Sequence, residues 1–116
     1  MYLEDLLNRL IISGKEEKEV VAKKAAAAAI IMASMRWHDE NKTESTPNDQ
    51  SGRIPTKYVL EKIREFPLAG MKADTKQIII EFRNMHYRGL YDIRFNIRGE
   101  YIYLSNIFRT EIEKFL

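Results

Sequence analysis

DTKQIIIEFRNMHYRG, residues 74–89, carries two opposed signals about local structure. Asp74 followed three residues later by Gln77 has the spacing of a capping box, in which each side chain satisfies a backbone N–H at the start of a helix. Gly89 stands where a helix commonly ends on a glycine. On a helical wheel Ile78, Ile79, Phe82, Met85 and His86 share one side. Against this stands Ile78-Ile79-Ile80, a run of β-branched side chains of the kind that packs well on a pleated sheet. The signals at the two ends favour a helix over Ala73–Arg88. The alternative is a strand over 77–83, which would turn the C-terminal half into a three-stranded meander.

Downstream, Asp92–Arg98 alternates in polarity and is followed by Gly99-Glu100 and then Tyr101–Ser105. A two-residue turn with glycine first suits a type II′ hairpin. With Gly99-Glu100 as the turn, Ile97 faces Ile102 and Phe95 faces Leu104, an apolar face shared with Ile93. Arg94, Asn96, Arg98, Tyr101 and Tyr103 then form the opposite, polar face. Asn106–Leu116 reads as a short amphipathic helix with Ile107, Phe108, Ile112 and Phe115 available for packing.

Upstream, Thr56 is placed to cap a helix over Lys57–Phe66 with Val59, Leu60, Ile63 and Phe66 inward, ended by Pro67 with Gly70 in the turn. Asn41–Arg53 lacks any large apolar side chain and is rich in Ser, Thr, Asn, Asp, Pro and Gly, so it reads as a long loop. Before it, Lys15–His38 predicts a long helix, with Ser13 and Glu16 as its capping pair. Ala25–Ala29 and the following Ile30, Ile31, Met32 and Met35 make that helix apolar nearly all round, as in a central helix. Its alanines permit close approach of a second helix, from this chain or from another copy. Leu3, Leu6, Leu7, Leu10 and Ile11 mark a first helix that Ser13-Gly14 breaks. The expected fold is therefore α+β and helix-rich, a single domain over 1–116. It divides into an N-terminal helical part (1–40), a flexible loop (41–53) and a C-terminal part (54–116).

The composition, 45% hydrophobic and 31% charged in 116 residues, is that of a folded domain and not of a disordered chain. The absence of cysteine removes disulfides and thiolate metal sites and suits a cytoplasmic setting. Met1–Ile12 has no basic start of the secretory type, and Ala25–Met35 is too short to span a bilayer, so no membrane role is expected. The net charge is only +2, but it is unevenly placed: residues 1–52 carry net −2 and residues 53–116 net +4. A basic C-terminal half points toward a polyanion. The five glycines are scattered at 14, 52, 70, 89 and 99, so no phosphate-cradling loop is present. His38-Asp39-Glu40 has no second His at i+4, and no nucleophile–base pair is readable. No enzyme activity, cofactor or small-molecule substrate is expected. The single Trp, Trp37, reads as a residue closing the edge of a core.

From Arg53 onward the order is a short extended piece, a helix, a turn, a helix and a β-hairpin. With the alanine-rich helix in front, this order resembles the winged helix-turn-helix superfamily over residues 15–105. The resemblance implies that Thr56–Phe66 supports, that Asp74–Arg88 is the recognition helix and that Asp92–Ser105 is the wing. It implies a DNA partner and a small regulator of transcription, dimeric through the alanine-rich helix. The side chains suited to such contacts are Lys76, Gln77, Arg83, Asn84, Tyr87 and Arg88 on the helix and Arg94, Arg98, Tyr101 and Tyr103 on the wing. Arg and Lys neutralise phosphates or pair with guanine edges, Asn and Gln pair with adenine, and Arg interleaved with Tyr suits phosphate and base stacking. The alternative is a protein–protein module or small subunit of an assembly, since interfaces also favour Tyr and Arg.

Overall fold

An apolar helix surrounded by its own chain organises the molecule. The computed structural model describes residues 4–10, 16–41, 53–66 and 73–114. In chain order these form α1 (Glu4–Arg9), α2 (Lys18–Asn41), β1 (Arg53–Pro55), α3 (Thr56–Glu65), α4 (Thr75–Tyr87), β2 (Tyr91–Asn96), β3 (Gly99–Leu104) and α5 (Phe108–Glu113). The fold is α+β and helix-rich, with one small antiparallel sheet. The residues expected to form most of the long loop (42–52), the helix break at Ser13-Gly14 and the turn at Pro67 and Gly70 lie outside the described residues.

Helix α2 has 24 residues and starts and ends three residues later than its sequence suggests. Ala25, Ala26, Ala27, Ala29, Ile30 and Ile31 are fully buried, and Ala28 is nearly so. Helices α3 and α4 pack against α2, together with α1 and β1. The small side chains therefore bring elements of the same chain close, and no alanine surface is left for a second copy. This corrects the expectation of dimerisation through the alanine-rich segment. Among described polar side chains in this helix, Lys24 is buried and pairs with Glu16 at 2.7 Å.

Residues 75–87 are helical, because local punctuation prevails over the β-branched run. The Gln77 N–H donates to Asp74 Oδ1 (2.9 Å), and the Asp74 N–H donates to Gln77 Oε1 (3.0 Å), completing the box. Ile78, Phe82 and Met85 face the core. At the other end Gly89 takes φ +82, a conformation that glycine adopts without steric penalty. The Leu90 N–H donates to the Met85 carbonyl at 2.9 Å.

Helix α3 begins differently from expectation. Thr56 is not its cap but its first residue, Pro55 precedes it at φ −58, and no side chain caps the helix. The reason is β1: Arg53, Ile54 and Pro55 pair with Tyr103, Ile102 and Tyr101, so the helix starts where the strand stops. The Thr56 hydroxyl is buried without a hydrogen-bond partner among the described residues.

The sheet order is β1-β3-β2. The hairpin turn lies two residues earlier than expected, which shifts each cross-strand partner by four. Asn96 pairs with Gly99 and Arg94 with Tyr101, so Ile97-Arg98 forms the turn in place of Gly99-Glu100. Two features hold it there. The Asn96 side chain accepts from the Arg98 N–H (2.7 Å), and Gly99 follows at φ +132. An even shift preserves which residues share a face. At the chain ends, α1 and α5 are held together by Asp5–Arg109 and Arg9–Glu113 ion pairs. In α5, Phe108 and Ile112 are buried, while Ile107, just before the helix, stays exposed; Phe115 lies outside the described residues.

Candidate nucleic-acid interface

Helix α4 presents two outward stripes. Lys76, Ile80, Arg83 and Tyr87 follow one another at helical spacing and are all exposed, with Ile80 at 48% and Tyr87 at 81%. Asn84 and Arg88 are exposed beside them, next to a cleft that Lys23 and Glu111 also line. Gln77 is half-buried and spends its side-chain carbonyl on the Asp74 N–H, so it belongs to the helix start more than to an open contact surface. Five of the six residues expected on this helix thus share its exposed side.

The hairpin residues separate from them. Phe82 stacks on Tyr91 with ring centroids 5.1 Å apart, and His86 stacks on the same ring at 5.4 Å. Helix α4 therefore lies on the sheet face that carries Tyr91. Burial holds the Tyr91 phenol in its neutral form well above the usual titration range, and its O–H donates to the Phe82 carbonyl at 2.8 Å. Strand alternation places Ile93 and Phe95 on this face as well. The expected burial of that apolar face holds at Ile102 but fails toward the tip, where Phe95 is 75% exposed and Ile97 fully so. The hairpin extends past the body of the domain, and nothing in the described chain covers its end.

Arg94, Tyr101 and Tyr103 point to the other face. Arg94 lies over the Tyr103 ring, 4.8 Å from its centroid. Tyr101 is only 6% exposed, which removes it from the open wing surface expected of it. Trp37, from the end of α2, meets Tyr101 edge to face at 6.0 Å and Tyr58 at 6.1 Å. The Arg53 guanidinium lies 5.0 Å from the Tyr101 centroid and 5.5 Å from that of Trp37. Only Arg98, in the turn, stands at the hairpin tip beside both faces.

This second face borders a groove of about 410 Å³ between the end of α2, the start of α3 and the hairpin turn. Trp37, Tyr58, Tyr101, Lys57, Arg98 and Glu100 are among its lining residues. Its outer side is braced by charge. Arg36 sits 3.7 Å above the Tyr58 ring and pairs with Glu61 (2.6 Å) and Glu40 (3.1 Å). The Tyr58 O–H donates to Glu40. That hydrogen bond, with Arg36, holds the Glu40 carboxyl below its ordinary range; the same hydrogen bond, with burial, raises the Tyr58 phenol above its own. Sequence reasoning did not find Arg53, Lys57 or Tyr58. No local pattern marks them, and they meet Trp37 only because β1 and α3 return to the end of α2.

The geometry defines a small α+β domain with a cationic helix face on one side of its hairpin and an aromatic groove on the other. Comparison with protein-family models, with curated proteins and with solved structures finds no match to this chain. Among the described residues no helix is long and apolar enough to cross a membrane.

Proposed function

We propose that this chain is a nucleic-acid-binding domain of winged-helix type that meets double-stranded DNA with the outward side of α4 and the hairpin tip. One observation carries the reading: Lys76, Arg83, Asn84 and Arg88 are exposed together, around Ile80 and Tyr87, on the helix that precedes the hairpin. The element order α2-β1-α3-α4-β2-β3 and the strand order β1-β3-β2 support it, since they match the arrangement expected of a winged helix. Cations in this setting neutralise phosphates, while Asn84, Arg83 and Ile80 can read base edges and a thymine methyl. The role that goes with this is a small transcriptional regulator acting in the cytoplasm. Arg94 and Tyr103 contribute less, because they lie on the face turned from α4.

The test is fluorescence polarisation of labelled random-sequence duplex DNA at low and moderate salt. Binding should weaken steeply with salt, and K76E/R83E should weaken it further and flatten the salt slope by about one unit per lost phosphate contact. The single variant R94E should have the smaller effect. No binding at low salt, or full binding by K76E/R83E, overturns the reading.

A second reading is a protein-binding module. It is favoured by Phe95 and Ile97, large apolar side chains left open at the hairpin end. In that case F95S/I97S abolishes partner binding while DNA affinity is absent throughout.

A further inference from the structure

The groove at Trp37 is unused by α4 and has its own chemistry. Its aromatic residues come from three separate elements: Trp37 from α2, Tyr58 from α3 and Tyr101 from β3. They meet edge to face, which holds the rings in place. Two exposed cations, Lys57 and Arg98, flank these rings from opposite walls, one at the start of α3 and one in the hairpin turn. Glu100 borders the groove from β3, but strand alternation turns its side chain to the Tyr91 face, so among the described lining residues no carboxylate offsets these cations. Arg53 adds a third positive charge at the back of Trp37 and Tyr101. An aromatic cage for a ligand cation would need the reverse balance, because Lys57, Arg98 and Arg53 repel positive charge. Aromatic surface between cations suits a ligand that is itself flat and aromatic at one end and anionic at the other.

We propose that this groove binds a nucleotide, either free or as an unpaired nucleotide of a nucleic-acid strand. The base lies against Trp37 and Tyr58, and the phosphate is held by Lys57 and Arg98. The space, about 410 Å³, is in the range of small-ligand pockets. This site lies on the sheet face opposite α4 and is separate from the duplex contact proposed above.

The chain reports on this site directly, because Trp37 is its only tryptophan. The full chain is titrated with adenosine monophosphate, with a single-stranded oligothymidylate and with inorganic phosphate alone, while Trp37 emission is followed. Saturable quenching by a nucleotide is expected, weakened about tenfold in K57E and again in R98E, as befits loss of a charge-assisted contact. Both residues are exposed, and far-ultraviolet circular dichroism confirms that the variants keep their helices. Quenching by the mononucleotide marks a free ligand, and quenching by the oligonucleotide alone marks a strand. Emission unchanged by both overturns the proposal, as does quenching that K57E and R98E leave intact. Phosphate alone acting at the same concentration as the mononucleotide would remove the stacked base. Duplex binding is read separately by polarisation, so failure at α4 and failure at the groove are distinguishable.

Discussion

Gly99 shows how one residue sets the position of a hairpin. Its φ of +132 lies where side chains bearing a Cβ are strained, yet no atom lies within 4 Å of where that Cβ would stand. Replacement by alanine therefore acts through backbone conformation and not through a clash. We expect G99A to destabilise the fold by about 1–3 kcal/mol, measured by urea denaturation. An unchanged midpoint would mean that the hairpin end adapts freely. Asn96 works with Gly99 by fixing the Arg98 N–H. That side-chain bond explains why the turn was misplaced from the sequence. Glycine position alone suggests Gly99-Glu100, whereas the hydrogen bond that Asn96 Oδ1 accepts from the Arg98 N–H sets the turn at Ile97-Arg98. Faces survived the error because the shift was even, so Arg94, Tyr101 and Tyr103 were correctly grouped. Their separation from α4 was not legible, since it depends on which sheet face the helix covers.

Among the elements, α2 is the one on which the others depend. Its alanines are fully buried under α3 and α4, so the interhelical spacing has no room for a larger side chain. A27L should destabilise the protein by about 1–3 kcal/mol or more through overpacking, seen as a lowered denaturation midpoint. Stability equal to the original chain would show that α2 and α4 can separate without loss. The sequence made this helix plain and left its partner open, because small side chains signal close approach without naming what approaches. For α4 the case was reversed. The capping pair Asp74 and Gln77, together with Gly89, outweighed three consecutive isoleucines, because a satisfied helix start and a ready stop act on backbone groups that a β-branched run does not supply. The groove was invisible at this scale, for Trp37 and Tyr101 stand 64 positions apart and meet only after β1 pairs with β3.

In the molecule as a whole, charge pairs join segments distant in sequence. Asp5 meets Arg109 across the α1–α5 contact, and across the α2–α3 contact Arg36 meets Glu61 and Glu40 meets Tyr58. The Arg109 guanidinium lowers the Asp5 carboxyl below its ordinary range, and the Tyr58 hydrogen bond does the same for Glu40. A carboxyl lowered in the folded state binds protons less readily than in the unfolded chain. Its contribution to stability is therefore fully present above the ordinary carboxylate range of about 4 and is lost as pH falls through the lower folded values. Both groups are solvent-exposed, so the effect is modest. We expect the denaturation midpoint to fall below pH 4 and R109A to make that acid limb shallower. An identical limb in R109A would show that Asp5 gains nothing from its partner.

The strand order β1-β3-β2 leaves β2 with only one paired side among the described residues. Along it the alternation reads Asp92, Ile93, Arg94, Phe95, and its outer half is open to solvent. An unpaired strand with Phe and Ile on one face is a template on which another such strand can grow. The two charges are what interrupt that growth, acting as gatekeepers inside an otherwise adhesive segment. Replacing both in D92V/R94V should convert a clear concentrated solution into one that scatters light and binds thioflavin, with the fold of the dilute protein unaltered. On that outcome Asp92 and Arg94 would be the two side chains that separate a dispersed protein from a fibre.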